Sequence, residues 1–236
     1  MGKSTTNISP LTYARIAGFL ALLILIAGSF SGYIHSNLVV TSDAATTANN
    51  IIASEVLFRL GIVSSLAMYT IFIFYVLILH RLLKPVEENH ALIMLVLALT
   101  GVPIAMLNQL NPSAVLLLLS DANYLNVFTP DQLHAQVMFF LRLQGYGSLI
   151  GVIFWGLWLF PLGWLVYQSG FYPKILGILL MIGCFGWLIV VLQRFLLPAY
   201  KFLEYSRYAA HLAELFWMLW LLTKGINVEK WKNHQG

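Results

Sequence analysis

The sequence predicts an all-α fold: an integral membrane bundle of six transmembrane helices with an extracytoplasmic helical cap. Three observations predict it. The chain of 236 residues is 60% hydrophobic and 9% charged, with a mean hydropathy of +0.82, too few charges to cover a water-soluble globule of that length. Apolar runs of membrane length recur along the chain, each bounded by charge or by a turn signal. The third observation is the stretch from Thr129 to Gln168, which carries one strong start signal and no comparable turn signal until Ser169-Gly170. Thr129 caps a helix, Pro130 starts it and Gln132 closes a capping box. A helix of about 40 residues reaches roughly 60 Å, twice the hydrocarbon thickness of a bilayer. Its apolar half is Ser148 to Tyr167, so the amphipathic half, with His134, Gln136, Arg142 and Gln144, extends beyond one membrane face.

The remaining elements follow in order. Met1 to Tyr13 is a short polar leader with Lys3, followed by Arg15 and the first span, Ile16 to Tyr33. A cleaved signal peptide is the rival reading, disfavoured by the length of run and leader. Gly28 and Gly32 have the small-xxx-small spacing of close helix contact. Thr41-Ser42-Asp43 starts a polar helix that is expected to run directly into the second span, Leu60 to Leu79. Lys84-Pro85 and Glu87-Glu88-Asn89 form a loop before the third span, Ala91 to Leu107, which is expected to kink at Pro112 and continue to Leu119. Asp121 to Phe128 turns the chain into the long helix. After Gly170 and Pro173 come the fifth span, Ile175 to Leu192, a polar connector from Leu197 to Arg207, and the sixth span, Tyr208 to Thr223. The whole chain, 1–236, is then one six-helix transmembrane domain with cap segments 36–54 and 110–145.

Basic residues orient the bundle. Lys3, Arg15, Arg81, Lys84, Lys174, Lys224, Lys230 and Lys232 fall on one side; Arg59, Arg142, Arg194, Lys201 and Arg207 fall on the other. The richer side is cytoplasmic, which places both termini there and the protein in the cell (inner) membrane. The +4 formal charge is small and dispersed, which argues against nucleic acid as a partner and leaves the lipid bilayer as the expected one. The single cysteine, Cys184, sits in an apolar run and excludes an internal disulfide.

The segments SPLTYARIAGFLALLILIAGSF, SDAATTANNIIASEVLFRLGI, GYGSLIGVIFWGLWLFPLGWLVYQSGFYPKILGILL and AELFWMLWLLTKGIN, in that order, resemble the bacterial and archaeal membrane proteins of the domain of unknown function 4386 family. The likeness covers residues 9 to 227. It implies a polytopic helical protein of a prokaryotic cell membrane and brings no assigned activity, cofactor or catalytic residue. Arg59, Gly147, Gly170, Pro173 and Glu214 lie within the matching segments.

Glu214 is the most informative single residue. Ten residues before Lys224, it lies about 15 Å deep, near the bilayer midplane. A carboxylate there costs roughly 2.5–3.5 kcal/mol to insert, so it must face the bundle interior, paired or protonated. The plainer account makes it interhelical glue, bonded to Ser64, Ser65 or Tyr69. His211 precedes it by one turn on the same face, a spacing that suits a proton relay or a metal pair. His35, His134, Glu55 and Asp131 are further potential ligands, but they are scattered and form no metal motif. No metal or other cofactor is expected.

Arg59, Arg142 and Arg194 recur at the outer ends of separate spans, where the positive-inside bias makes basic residues least expected. Snorkelling to lipid phosphates is the ordinary account. The sharper one is an anion-binding mouth, with Gln144, His211 and Glu214 along the same path. Glu55, one turn before Arg59, is positioned to neutralise it. The leading functional reading is a protein that binds or moves an anionic amphiphile or small anion, an anionic lipid among them, in an outer-half pocket. The alternatives are a structural or regulatory subunit, or a membrane enzyme using Glu214 and His211. Gly147, with Gly151, is read as a close-packing site.

Overall fold

In the computed structural model, residues 9–120 and 122–234 are described. Lys3, counted in the orientation, and Asp121, placed at the turn into the long helix, lie outside them. The described residues form helices and no strand. Five helical segments are long and apolar enough to cross a membrane: Pro10–Leu38, Glu55–Leu83, Glu88–Leu118, Pro130–Gln168 and Lys174–Leu196. Their outward faces are apolar, with Phe19 53% exposed, Ile26 56% and Val63 59%, the surface expected of a multi-pass membrane protein.

Helix α1, Pro10–Leu38, starts at proline after Ser9, whose hydroxyl accepts the Thr12 N–H at 3.1 Å. It extends beyond the expected end at Tyr33, carrying His35 on the helix. Helix α2, Ala44–Ala53, is capped by Asp43, whose carboxylate accepts the Thr46 hydroxyl at 2.6 Å and N–H at 2.9 Å. These bonds hold the Asp43 carboxyl below its ordinary range. The expected direct run into the next span is interrupted at Ser54 (φ −128°, ψ 37°), so α2 and α3, Glu55–Leu83, are separate elements.

Helix α4, Glu88–Asn108, is followed after Gln109 by α5, Leu110–Leu118. Pro112 cannot donate to the Asn108 carbonyl, which accepts the Asn111 side-chain amide instead, at 3.2 Å. The capping box predicted for the long helix is present: Thr129 N–H donates to Gln132 Oε1 at 2.9 Å, and Gln132 N–H donates to Thr129 Oγ1 at 3.3 Å. The long helix divides into α6, Pro130–Leu157, and α7, Leu159–Gln168. The cause is Pro161, which lacks the N–H that would bond Leu157, while Trp158 keeps helical dihedrals. Helix α8, Lys174–Leu196, leads through a 3₁₀ turn, Lys201–Ser206, to α9, Arg207–Thr223, and to the short α10, Val228–Lys232. At 17 residues α9 falls short of the five spanning segments.

The chain packs as two compact units. Unit 1 comprises residues up to Leu22, Phe72–Gly101 and from Val152 onward; unit 2 comprises Leu23–Ile71 and Val102–Gly151. In unit 1 the close contacts are made by glycines: a Cβ on Gly163 would lie 2.5 Å from the Gly177 carbonyl, and one on Gly177 2.5 Å from the Gly163 carbonyl, which sets α7 directly on α8. Unit 2 is built on Ile34, Leu38, Ile51, Phe58, Val115, Val137 and Leu141. There α1 and α3 are joined by hydroxyls, Ser64 donating to the Ala27 carbonyl at 2.9 Å and Ser31 and Ser65 meeting at 2.7 Å.

Candidate functional site

Unit 2 encloses a half-open cavity of about 250 Å³. Each wall is one helix face read at helical spacing: Ser31, Ile34 and His35 from α1, Phe58, Gly61 and Ile62 from α3, and Leu141, Gln144, Gly145 and Ser148 from α6. Gln109 and Pro112, at the α4–α5 junction, close it. The lining alternates apolar side chains with neutral hydrogen-bonding groups and, among the described residues, contains no Lys, Arg, Asp or Glu.

A hydrogen-bonded frame supports this lining. Asn108, 8% exposed, donates its amide to the Gln144 carbonyl at 2.8 Å and to Ser148 Oγ at 3.1 Å, and its Oδ1 accepts from Asn111 at 2.8 Å. Gly147 makes room for it, since a Cβ there would lie 2.0 Å from Asn108 Oδ1. The role expected of Gly147 is thus met by contact with an asparagine side chain rather than with a helix backbone. Gln109, 5% exposed, engages the Tyr69 hydroxyl. Gln144 stands apart: its side-chain oxygen is buried with no hydrogen-bond partner. An acceptor left unsatisfied costs about 1–3 kcal/mol, so the arrangement is poised for a donor.

Of the residues singled out from sequence, Gln144 lines this cavity. Arg59 and Arg142 belong to the same unit without lining it. Arg59 pairs with Glu55 at 2.7 Å, as their spacing predicts, with both side chains more than half exposed. Arg142 donates to the Thr41 carbonyl at 3.3 Å. Arg194, His211 and Glu214 belong to unit 1. Arg194 pairs with Glu204 at 2.9 Å. The His211 ring meets the Trp187 ring edge-on, centroids 4.8 Å apart, and the Trp187 indole also hydrogen-bonds the carboxyl of half-buried Glu214. The glue partners named for Glu214 are engaged elsewhere, Ser64 and Ser65 by α1 and Tyr69 by Gln109; the indole takes their place because α8 packs beside α9. Nearby in unit 1, buried Trp217 donates to Tyr75 at 3.1 Å. Among the described residues, no group of three His, Cys, Asp or Glu is placed to hold a metal.

Sequence reasoning missed His35, Gln109, Ser31 and Ser148 as cavity residues. The available signal was polar pairs at i,i+4 within apolar helices, Ser31 with His35 and Gln144 with Ser148.

The chain is similar to a protein of Archaeoglobus fulgidus described only as uncharacterized, 41% identical over 76 residues, which cover 32% of this chain and 44% of the relative. The match thus spans less than half of that relative. No solved structure matches. The sequence profile described as Domain of unknown function (DUF4386) matches residues 16–225. A match over that much of 236 residues decides the family: the chain belongs to the domain of unknown function 4386 family.

Proposed function

We propose that the protein binds an anionic amphiphile in the unit 2 cavity. The observation that carries this reading is the Gln144 side-chain amide on a cavity built within apolar helices: its N–H donors suit an anionic head group, and its buried, unpartnered oxygen suits a hydroxyl of the same head. Ile34, Phe58, Ile62 and Leu141 offer an apolar surface to a hydrocarbon chain, and His35, Gln109 and Gln144 offer hydrogen bonds to a polar head. Arg59 and Arg142 lie outside the lining in the same unit, and their positive field supplies the preference for negative charge. The ion pair that holds Arg59 is exposed and so worth at most about 1 kcal/mol, little obstacle to an incoming anion.

The accompanying topology has six spans in one domain, α9 being the sixth. Its 17 residues reach about 26 Å, at the short end of what crosses a bilayer. An even number of spans, with the bias of basic residues, places both termini in the cytoplasm and segments 36–54 and 110–145 in an outer cap of a cell-membrane protein.

The test fills the cavity without disturbing the fold. A Cβ at Gly32 or Gly145 meets nothing within 4 Å. Gly32→Leu and Gly145→Leu therefore leave the helix without a clash at Cβ, direct the larger side chain at the cavity these glycines line, and gain up to about 1 kcal/mol of helix propensity. Laurate and its neutral glyceryl ester serve as probes, with bound copies counted by native mass spectrometry of the purified protein. Both plugs should lower laurate affinity roughly tenfold or more, about 1.4 kcal/mol. Arg59→Ala and Arg142→Ala should weaken laurate more than the ester. Unchanged laurate binding in the plugged variants sinks the reading in favour of a structural subunit.

A further inference from the structure

We infer that unit 1 carries a separate site for a phosphate group, in the cavity lined by Lys224 and Lys230. The reading does not rest on the amphiphile cavity of unit 2. This second cavity, about 420 Å³, opens where the α7–α8 turn, the end of α9 and the start of α10 come together. Its backbone walls are fixed. Gly170 and Gly225 take left-handed conformations (φ 66° and 65°) that end α7 and α9, and the Asn227 N–H bonds the Phe171 carbonyl at 3.4 Å, tying one turn to the other.

Among the described residues, the cavity lining carries two positive charges and no negative one. Neither lysine is in an ion pair among the described residues, and no Asp or Glu lines the space. Among the described residues the Lys230 ammonium donates to the Gly170 carbonyl alone, at 3.3 Å, leaving donors free. Tyr172, 4% exposed, also lines the cavity, and its hydroxyl is buried without a partner. Two unneutralised ammoniums over a concave wall suit a phosphate, to which lysine binds as a point charge. The phosphate has two possible sources, a membrane lipid headgroup or free phosphate. The headgroup is favoured by the α9 face, where Lys224, Trp220 and Phe216 follow at i, i−4 and i−8; Trp220 lines the cavity, and Phe216, 49% exposed, continues the strip as a track for an acyl chain.

The full-length protein is placed in nanodiscs of dioleoylphosphatidylglycerol and dioleoylphosphatidylcholine, and the phosphatidylglycerol retained on release is counted by native mass spectrometry. Inorganic phosphate is the second probe, followed by phosphorus NMR line broadening. Lys224→Gln/Lys230→Gln should lose about thirtyfold in affinity, the effect of roughly 1 kcal/mol for each lysine. Arg81→Gln/Lys84→Gln removes the same charge from the end of α3 and should change little. Retained phosphatidylglycerol that inorganic phosphate does not displace assigns the lipid source, and inorganic phosphate binding lost in the lysine double assigns the free ion; either supports the site. Lys224→Arg/Lys230→Arg, which keeps the charge, should keep the binding. Equal loss in the α3 control, equal loss in the arginine and glutamine doubles, or no loss in the glutamine double overturns the site.

Discussion

Gly147→Ala tests the frame behind the unit 2 cavity, and its effect can be worked from the contacts. The new methyl would lie 2.0 Å from Asn108 Oδ1 and 2.6 Å from its Cγ, so the amide must move. Moving a side-chain end is sterically cheap, but this one is held by its bonds to the Gln144 carbonyl, Ser148 Oγ and the Asn111 amide. At about 0.6–1 kcal/mol each in a membrane or buried setting, those bonds are together worth roughly 2–3 kcal/mol. Replacing a helical glycine with alanine returns about 1 kcal/mol. The net destabilisation should be about 1–2 kcal/mol. Asn108→Ala alone forfeits the same bonds, about 2–3 kcal/mol, and opens the space the methyl needs. Gly147→Ala should therefore stabilise the Asn108→Ala background by about 1 kcal/mol, a reversal of sign that a double-mutant cycle reads as a coupling of roughly 2–3 kcal/mol. Equilibrium unfolding in mixed dodecylmaltoside and dodecylsulfate micelles supplies the four free energies. A Gly147→Ala protein as stable as the parent, or a double variant no better than Asn108→Ala, refutes the reasoning.

In unit 1, Gly163→Ala or Gly177→Ala brings a methyl to 2.5 Å from a backbone carbonyl that cannot turn aside, so each should cost about 1–3 kcal/mol, seen as a lower unfolding midpoint in detergent. Glu214→Gln keeps an acceptor for the Trp187 indole whereas Glu214→Leu does not, so the glutamine variant should unfold at the higher temperature; equal midpoints would remove the indole from the account. The Asp43 carboxyl is held below its ordinary value by Thr46, so its contribution to α2 is complete well above pH 3.8 and is lost as the pH falls below it; the protection factors of amides 44–53, which correct for the intrinsic exchange rate, should drop in acid, and Asp43→Asn should abolish that dependence.

Start signals were the most legible feature of the sequence, because they are local. Thr41-Ser42-Asp43 and Thr129-Pro130 with Gln132 satisfy orphan donors within one turn, and helices begin there. At Pro161 the missing N–H divides a stretch whose apolar continuity reads as one helix, whereas the break at Pro112, where a proline also removes a donor, was legible. The break at Ser54 was not, since no residue there forbids a helix and the angle is set by where α2 docks. The glycines that pack α7 on α8 stand one to a helix, so no spacing within either helix announces them.

The candidate site divides along the same line. Gln144 was legible as a polar residue on an apolar-entering helix, and the Arg59–Glu55 pair followed from its i,i+4 spacing. The Arg194–Glu204 pair was not, because it spans ten positions across a turn whose path is tertiary. The cavity itself needs faces of α1, α3 and α6 turned to one point, and each contributes too short a pattern to stand out alone: Ser31 with His35, Phe58 with Ile62, Gln144 with Ser148. What distinguishes these faces from ordinary interhelical glue is the absence of mutual satisfaction. Ser31 has found Ser65 and Ser148 has found Asn108, yet the Gln144 oxygen in the same wall has found nothing. A donor entering the open space beside it, from a ligand head group or from water, would complete the set.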